Sequence, residues 1–167
     1  MIMSIENNPD WRPLTRYGIQ IPGHYVSNCG EIFSTSFNKL RKIHHKYRTE
    51  VTKNGSRKKL VECNFTIQCD KTLFEDYNHV SGSAKGKCVL NITVHKAVME
   101  AWKPVDLYPP ESVAPYWNTL PEPVKQWIRD TVVIDHIDAD PSNNNIDNLR
   151  YVTPKENNAY RKEESSS

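Results

Sequence analysis

Residues 132–162, VVIDHIDADPSNNNIDNLRYVTPKENNAYRK, carry the densest set of local conformational instructions in this chain of 167 residues. Val132-Val133-Ile134 is a β-branched run suited to a buried strand, and it delivers Asp135 and His136 side by side at its end. Successive strand side chains point to opposite faces, so these two cannot chelate one ion together. They suit separate roles, one binding metal and the other acting on a water. Asp138, Asp140, Pro141, Ser142 and Asn143 to Asn145 form a turn-prone loop, in which short acid and amide side chains cap their own backbone. Leu149-Arg150-Tyr151-Val152 fits a return strand. Thr153-Pro154-Lys155-Glu156 is a capping box: threonine caps, proline takes the first helical position and glutamate the third. A helix starts there, with Asn157 in its first turn, able to reach back over the hairpin toward whatever Asp135 holds. A carboxylate and an amide oxygen are hard donors that suit magnesium or manganese, whereas zinc would ask for His or Cys.

Upstream, order is expected from Trp11, after a polar stretch that should fray. YVSNCGEIFSTS (25–36) alternates around Asn28-Cys29-Gly30 and reads as a small hairpin whose turn needs the glycine. LVECNFTIQC (60–69) and KCVLNITV (87–94) alternate again and are rich in β-formers, which predicts two antiparallel strands joined by a long connection containing the turn-rich SGSAKG. HKAVMEAW (95–102) changes to helical spacing, with Val98, Met99 and Trp102 on one face and Pro104 closing it. The proline- and aromatic-rich stretch 103–120 should run extended over the surface. PEPVKQWIRDT (121–131) reads as a helix with Val124, Trp127 and Ile128 on one side. The tail KEESSS is expected to be disordered.

The net charge is only +2, but its distribution is uneven. Lys39, Arg41, Lys42, Lys46, Arg48, Lys53, Arg57, Lys58 and Lys59 face the single acid Glu50, with His44, His45 and Tyr47 interleaved. Such a surface suits a polyanion, bound through counterion release. No run approaches the roughly 20 apolar residues of a membrane span, and the N-terminus lacks the basic and apolar regions of a signal peptide, so a cytoplasmic protein is expected. Cys29, Cys63, Cys69 and Cys88 form no CxxC pair and are read as reduced, buried thiols; no zinc is expected.

Counted from His136, Asn148 lies 12 positions on and Asn157 lies 21 on. With the wording DHIDxxxxNNxxxNLRxVTPxENN, this segment resembles the HNH, or ββα-metal, nucleases, and among them the phage and intron-encoded homing endonucleases. WRPLTRYGIQIPGHYVSNCGEIFS similarly resembles the DNA-binding module that often precedes such nucleases, and VHKAVMEAW matches the helix before their finger. The resemblance implies an α+β chain, with small antiparallel hairpins in an N-terminal β-rich DNA-binding module (1–94, basic segment 39–59). A nuclease domain (95–162, finger 132–162) and a disordered tail (163–167) would follow. It further implies that Asp135 and Asn157 ligate one divalent ion, Mg2+ or Mn2+, that His136 is the general base, and that Asn148 orients the histidine or pins the loop. The implied partner is double-stranded DNA, cut in a phage-infected bacterial cell by a monomer, which would nick, or a homodimer.

Residues 70–86 and 103–131 are longer than the family pattern, and no helix-turn-helix follows Lys162, so a shorter or looser target is expected. An isolated Asp-His pair would as readily be a turn-forming acid and a core histidine. His95 reads as a helix-start residue packing under the finger, His24, His44 and His45 as DNA-facing or solvated, Asn143 to Asn145 as turn formers, and the tryptophans as core or cover. A catalytically silent DNA-binding protein on a nuclease scaffold, or a nuclease for RNA or DNA junctions, are the alternatives.

Overall fold

The computed structural model describes residues 5–77 and 86–166, with side chains as far as Arg161. Fraying at residues 1–4, the turn in SGSAKG up to Lys85, and Ser167 lie outside the described residues. In chain order the elements are β1 (Trp11–Arg16), β2 (Ile19–Ser27), β3 (Ile32–Ser34), β4 (Lys39–Leu40), β5 (His44–Thr52), β6 (Gly55–Asp70), β7 (Lys87–Thr93), α1 (Val94–Trp102), α2 (Glu122–Thr131), β8 (Val133–His136), β9 (Leu149–Val152) and α3 (Pro154–Ser166). The strands form three antiparallel sheets, β1-β2-β3-β4, β5-β6-β7 and β8-β9. This is the α+β class expected from the sequence.

One buried cluster joins them. Leu14, Ile21, Val26 and Ile32 come from the first sheet, Phe65, Ile67, Cys88 and Ile92 from the second, Val94, Ala97, Val98 and Met99 from α1, and Leu149 from β9. Burying a side chain such as Phe65 or Met99 contributes about 1.5–3 kcal/mol. The central position belongs to α1, which follows β7 without a loop and packs against β1, β2, β6, β7 and β8. Trp102 at its end donates from Nε1 to the Val26 carbonyl at 3.2 Å, and Lys103 donates from Nζ to the Ile146 carbonyl at 2.9 Å. Segments 1–94 and 95–162 thus share a single core.

The Asn28-Cys29-Gly30 turn is where the expected hairpin needs its glycine. Gly30 has φ +91, and a Cβ there would stand 2.8 Å from Val94 Cγ1 and 3.0 Å from Asn144 Cβ. The same turn accepts a hydrogen bond at the Asn28 carbonyl from the Ile146 amide, 2.8 Å. The N-terminal hairpin therefore braces the loop between β8 and β9.

The basic segment is ordered as a ribbon. From His44 to Lys59 the paired strands β5 and β6 bury no residue, so this part of the hairpin stands on its own ladder and not on the core.

Several expectations change. The stretch 103–120 is not wholly extended: a 3-10 turn at Ala114–Thr119 buries Trp117, under the cations of Lys125 and Arg129. On α2 only Ile128 turns inward, while Trp127 is 65% exposed, so that tryptophan is neither core nor cover. His24 is buried and its Nδ1 sits 3.0 Å from the Pro22 carbonyl, so it neither faces DNA nor is solvated. Cys29 is exposed, unlike the other three thiols. Helix α3 runs on through Ser166, because nothing in KEESS forbids propagation once the cap has nucleated it.

Candidate active site

The finger folds as its local signals require. β8 and β9 pair in the register Asp135↔Arg150 and His136↔Leu149. The capping box closes in both directions: the Thr153 amide donates to Glu156 Oε2 at 2.6 Å, and the Glu156 amide to Thr153 Oγ1 at 3.3 Å. Helix α3 then packs against β8 and β9, with Asn157 half-buried in its first turn, where its amide donates to the Thr153 carbonyl.

Between the strands, acid and amide side chains cap the loop. Asp138 Oδ1 accepts from the Asp140 amide and Asp140 Oδ1 from the Ser142 amide, both at 2.9 Å, and Asn143 Nδ2 donates to Asp138 Oδ2 at 2.6 Å. Hydrogen bonds from the Asp140 amide, Asn143 and Asn148 hold the Asp138 carboxyl below its usual range. Asn148 spans this loop: its Oδ1 accepts from the Asp138 amide at 3.1 Å, and its Nδ2 donates to Asp138 Oδ1 and to the Asn143 carbonyl at 2.9 and 2.8 Å. Of the two roles left open for Asn148, these bonds fit the loop pin.

The orientation of His136 is set instead by Asn144. Asn144 is 5% exposed, and its Oδ1 lies 3.1 Å from His136 Nε2. Its Nδ2 donates to the Pro141 and Ser142 carbonyls, both at 3.3 Å, which fixes the amide so that its oxygen faces the imidazole. An acceptor facing Nε2 makes Nε2 the N–H and leaves the lone pair of the neutral ring on Nδ1. His95 stands edge-on to His136, centroids 5.4 Å apart and planes at 90°. Burial, and then the neighbouring His136 and Lys96, push His95 down to about 4, so it remains neutral at ordinary pH.

Asp135 faces elsewhere, as strand alternation requires. Its Oδ2 accepts from Arg150 Nε at 2.9 Å and stands 2.8 Å from Arg150 Nη2. The sequence reading missed both Asn144 and Arg150. Arg150 was readable from the hairpin register, which sets it opposite Asp135, whereas Asn144 looked like its two turn-forming neighbours and only its burial separates it. Among the described residues no group of three or more His, Cys, Asp or Glu is placed to hold a metal ion. The Arg150 guanidinium on Asp135 Oδ2 shows that this oxygen accommodates a cation. Asp135 and Asn157 each carry the kind of hard oxygen donor that a divalent ion takes.

Of the nine basic residues proposed to meet a polyanion, all but Arg41 are exposed. Arg41 is half-buried and donates from Nη2 to the Thr66 carbonyl at 2.9 Å, so it braces β6. Glu50 draws in Arg48, Arg57 and Lys59 at 2.8, 3.2 and 3.8 Å. Lys46, Lys53 and Lys58 extend from the same ribbon.

Residues 126–159 match a family model described as HNH endonuclease. Among curated proteins no sequence matches the chain. Among solved structures, the HNH homing endonuclease I-HmuI, determined for its DNA binding and cleavage, superposes with a TM-score of 0.50 at 20% identity, covering 94% of this chain. The chain spans 60% of the length of that relative. Residues 126–159 thus resemble an HNH endonuclease unit, in a chain whose fold is similar to that of an HNH homing endonuclease.

Proposed function

We propose that the protein is a metal-dependent DNA endonuclease, and one observation carries the reading: an imidazole fixed through Nε2 by a buried amide, on the strand that also presents the Asp135 carboxylate. His136 takes a proton at Nδ1 from the water whose oxygen bonds to phosphorus, the bond from phosphorus to the 3′ oxygen breaks, and that oxygen takes a proton from solvent, leaving a 5′ phosphate and a 3′ hydroxyl. Asn144 holds the ring in the tautomer this requires. Asn148 acts one step further back, by keeping the 138–143 loop and so Asn144 in register. His95, neutral and edge-on, limits how the ring can tilt. Asp135 and Asn157 would hold Mg2+ or Mn2+, which supplies charge neutralisation for the phosphate oxygens when bound.

The β5–β6 ribbon presents Lys46, Arg48, Lys53, Lys58 and Lys59 to the duplex backbone, and its two-stranded width suits a major groove. One active centre cuts one strand, so a monomer nicks and a homing-type double-strand break needs two copies or two visits. The test is nicking of supercoiled plasmid in Mg2+. The wild-type chain is expected to nick, EDTA to stop it, and His136→Ala to slow it by about 10²–10⁴-fold. A wild-type chain that binds plasmid yet leaves it intact with either metal would instead be a binding protein on a nuclease scaffold.

A further inference from the structure

Both Arg150 contacts converge on a single oxygen, Asp135 Oδ2, and the Asp135 side chain is only 12% exposed. A carboxylate so enclosed needs a cation beside it. In this chain the cation is a side chain of the adjacent strand. Arg150 is itself 38% exposed, its guanidinium lies 4.2 Å from the centroid of Tyr160, and it lines a cleft of about 400 Å3 together with Tyr108, Glu156 and Tyr160. It has an aromatic platform to pivot on and space to move into.

We propose that Arg150 is the resident counter-cation of the metal site: it neutralises Asp135 in the metal-free chain, gives up that oxygen to a divalent ion, and turns its guanidinium to a DNA phosphate. The inference rests on reading Asp135 as a metal ligand. A guanidinium and a divalent ion both within about 3 Å of one oxygen would repel each other strongly, so an ion that takes Oδ2 displaces the guanidinium from it. A planar fork of donors matches phosphate as well as it matches carboxylate, which gives the released side chain a destination once DNA is present. Metal and DNA then bind cooperatively: each removes Arg150 from the position that opposes the other.

The experiment titrates Mn2+ into the full chain without DNA, following the free-ion paramagnetic resonance signal, for the wild type and for Arg150→Gln, Arg150→Lys and Asp135→Asn. Arg150→Gln is expected to bind Mn2+ on the order of tenfold more tightly than wild type, Arg150→Lys by a smaller factor, and Asp135→Asn to lose binding. Thermal melting provides a second readout, with Mn2+ raising the Tm of Arg150→Gln more than that of the wild type. In a His136→Ala background, short duplex DNA should tighten Mn2+ binding by a larger factor when Arg150 is present than in Arg150→Gln. Should circular dichroism show Arg150→Gln unfolded, Arg150→Lys carries the comparison. Equal or weaker Mn2+ binding by the folded Arg150 variants overturns the proposal and leaves the nuclease reading intact. Mn2+ binding that survives Asp135→Asn, or is absent from every variant, overturns the ligand assignment as well.

Discussion

Asn144 Oδ1 lies 3.1 Å from His136 Nε2 and fixes how the imidazole is turned. Asn143, Asn144 and Asn145 are chemically identical, yet only the middle one is buried and directed at Nε2. Replacing Asn144 with Leu keeps the volume and removes the acceptor, which frees the ring to rotate and to change tautomer. Nicking turnover is expected to fall about 10²-fold while plasmid affinity stays unchanged. An equal loss of affinity and turnover would show that Asn144 only supports the fold. His95 gives a pH signature of its own. Its folded pKa, pushed down to about 4, lies below the ordinary histidine value of 6.5, so the unfolded chain takes up the proton first as pH falls. Its contribution to stability is therefore complete above pH 6.5 and is lost progressively from there toward pH 4. Buried His24, lowered for the same reason, acts in the same direction. Urea midpoints measured from about pH 7.5 to about pH 4.5 should drop, and the drop should shrink in His95→Gln.

At the level of elements, the finger and the ribbon differ in what holds them. The finger is anchored by Leu149 and Val152 beneath it and by reciprocal capping bonds at the start of α3. The outer ribbon has only its ladder and exposed charges. Glu50 offsets part of the positive potential by engaging Arg48, Arg57 and Lys59, which leaves Lys46, Lys53 and Lys58 as the cations best placed to displace counterions. Changing these three to Gln should lower the slope of log affinity against log salt by about 0.9 for each phosphate that is no longer neutralised. Cleavage at saturating DNA should be untouched, since these lysines stand on the outer ribbon and His136 on the finger. An unchanged salt slope would remove the ribbon from the DNA-binding surface.

Across the whole molecule, the N-terminal hairpin and the finger are coupled at Gly30. A methyl group added there would meet Val94 and Asn144 at once, on backbone that L side chains rarely adopt. Gly30→Ala is expected to lower stability by about 1–3 kcal/mol and to reduce turnover further than stability alone explains, because Asn144 moves. The shared core predicts that unfolding followed by tryptophan fluorescence and by far-ultraviolet dichroism gives coincident transitions. Two separated transitions would mean that the N-terminal module and the finger unfold independently.

The sequence by itself determined what short-range chemistry can determine: β-branched runs that become β8, a capping box that starts α3, turn residues that build the loop Asn148 pins, and the periodicity that makes α1 a helix. These depend on residues within one or two turns of one another, so no partner needs to be known. Tertiary structure alone decided which of three asparagines faces His136, that Arg41 turns inward and Glu50 neutralises part of the basic face, that Trp127 points outward, and that α1 joins every sheet into one core. Each of those outcomes depends on which surfaces meet across long stretches of chain. Burial and hydrogen-bond partnership belong to the meeting surfaces, and the residue type carries no record of them.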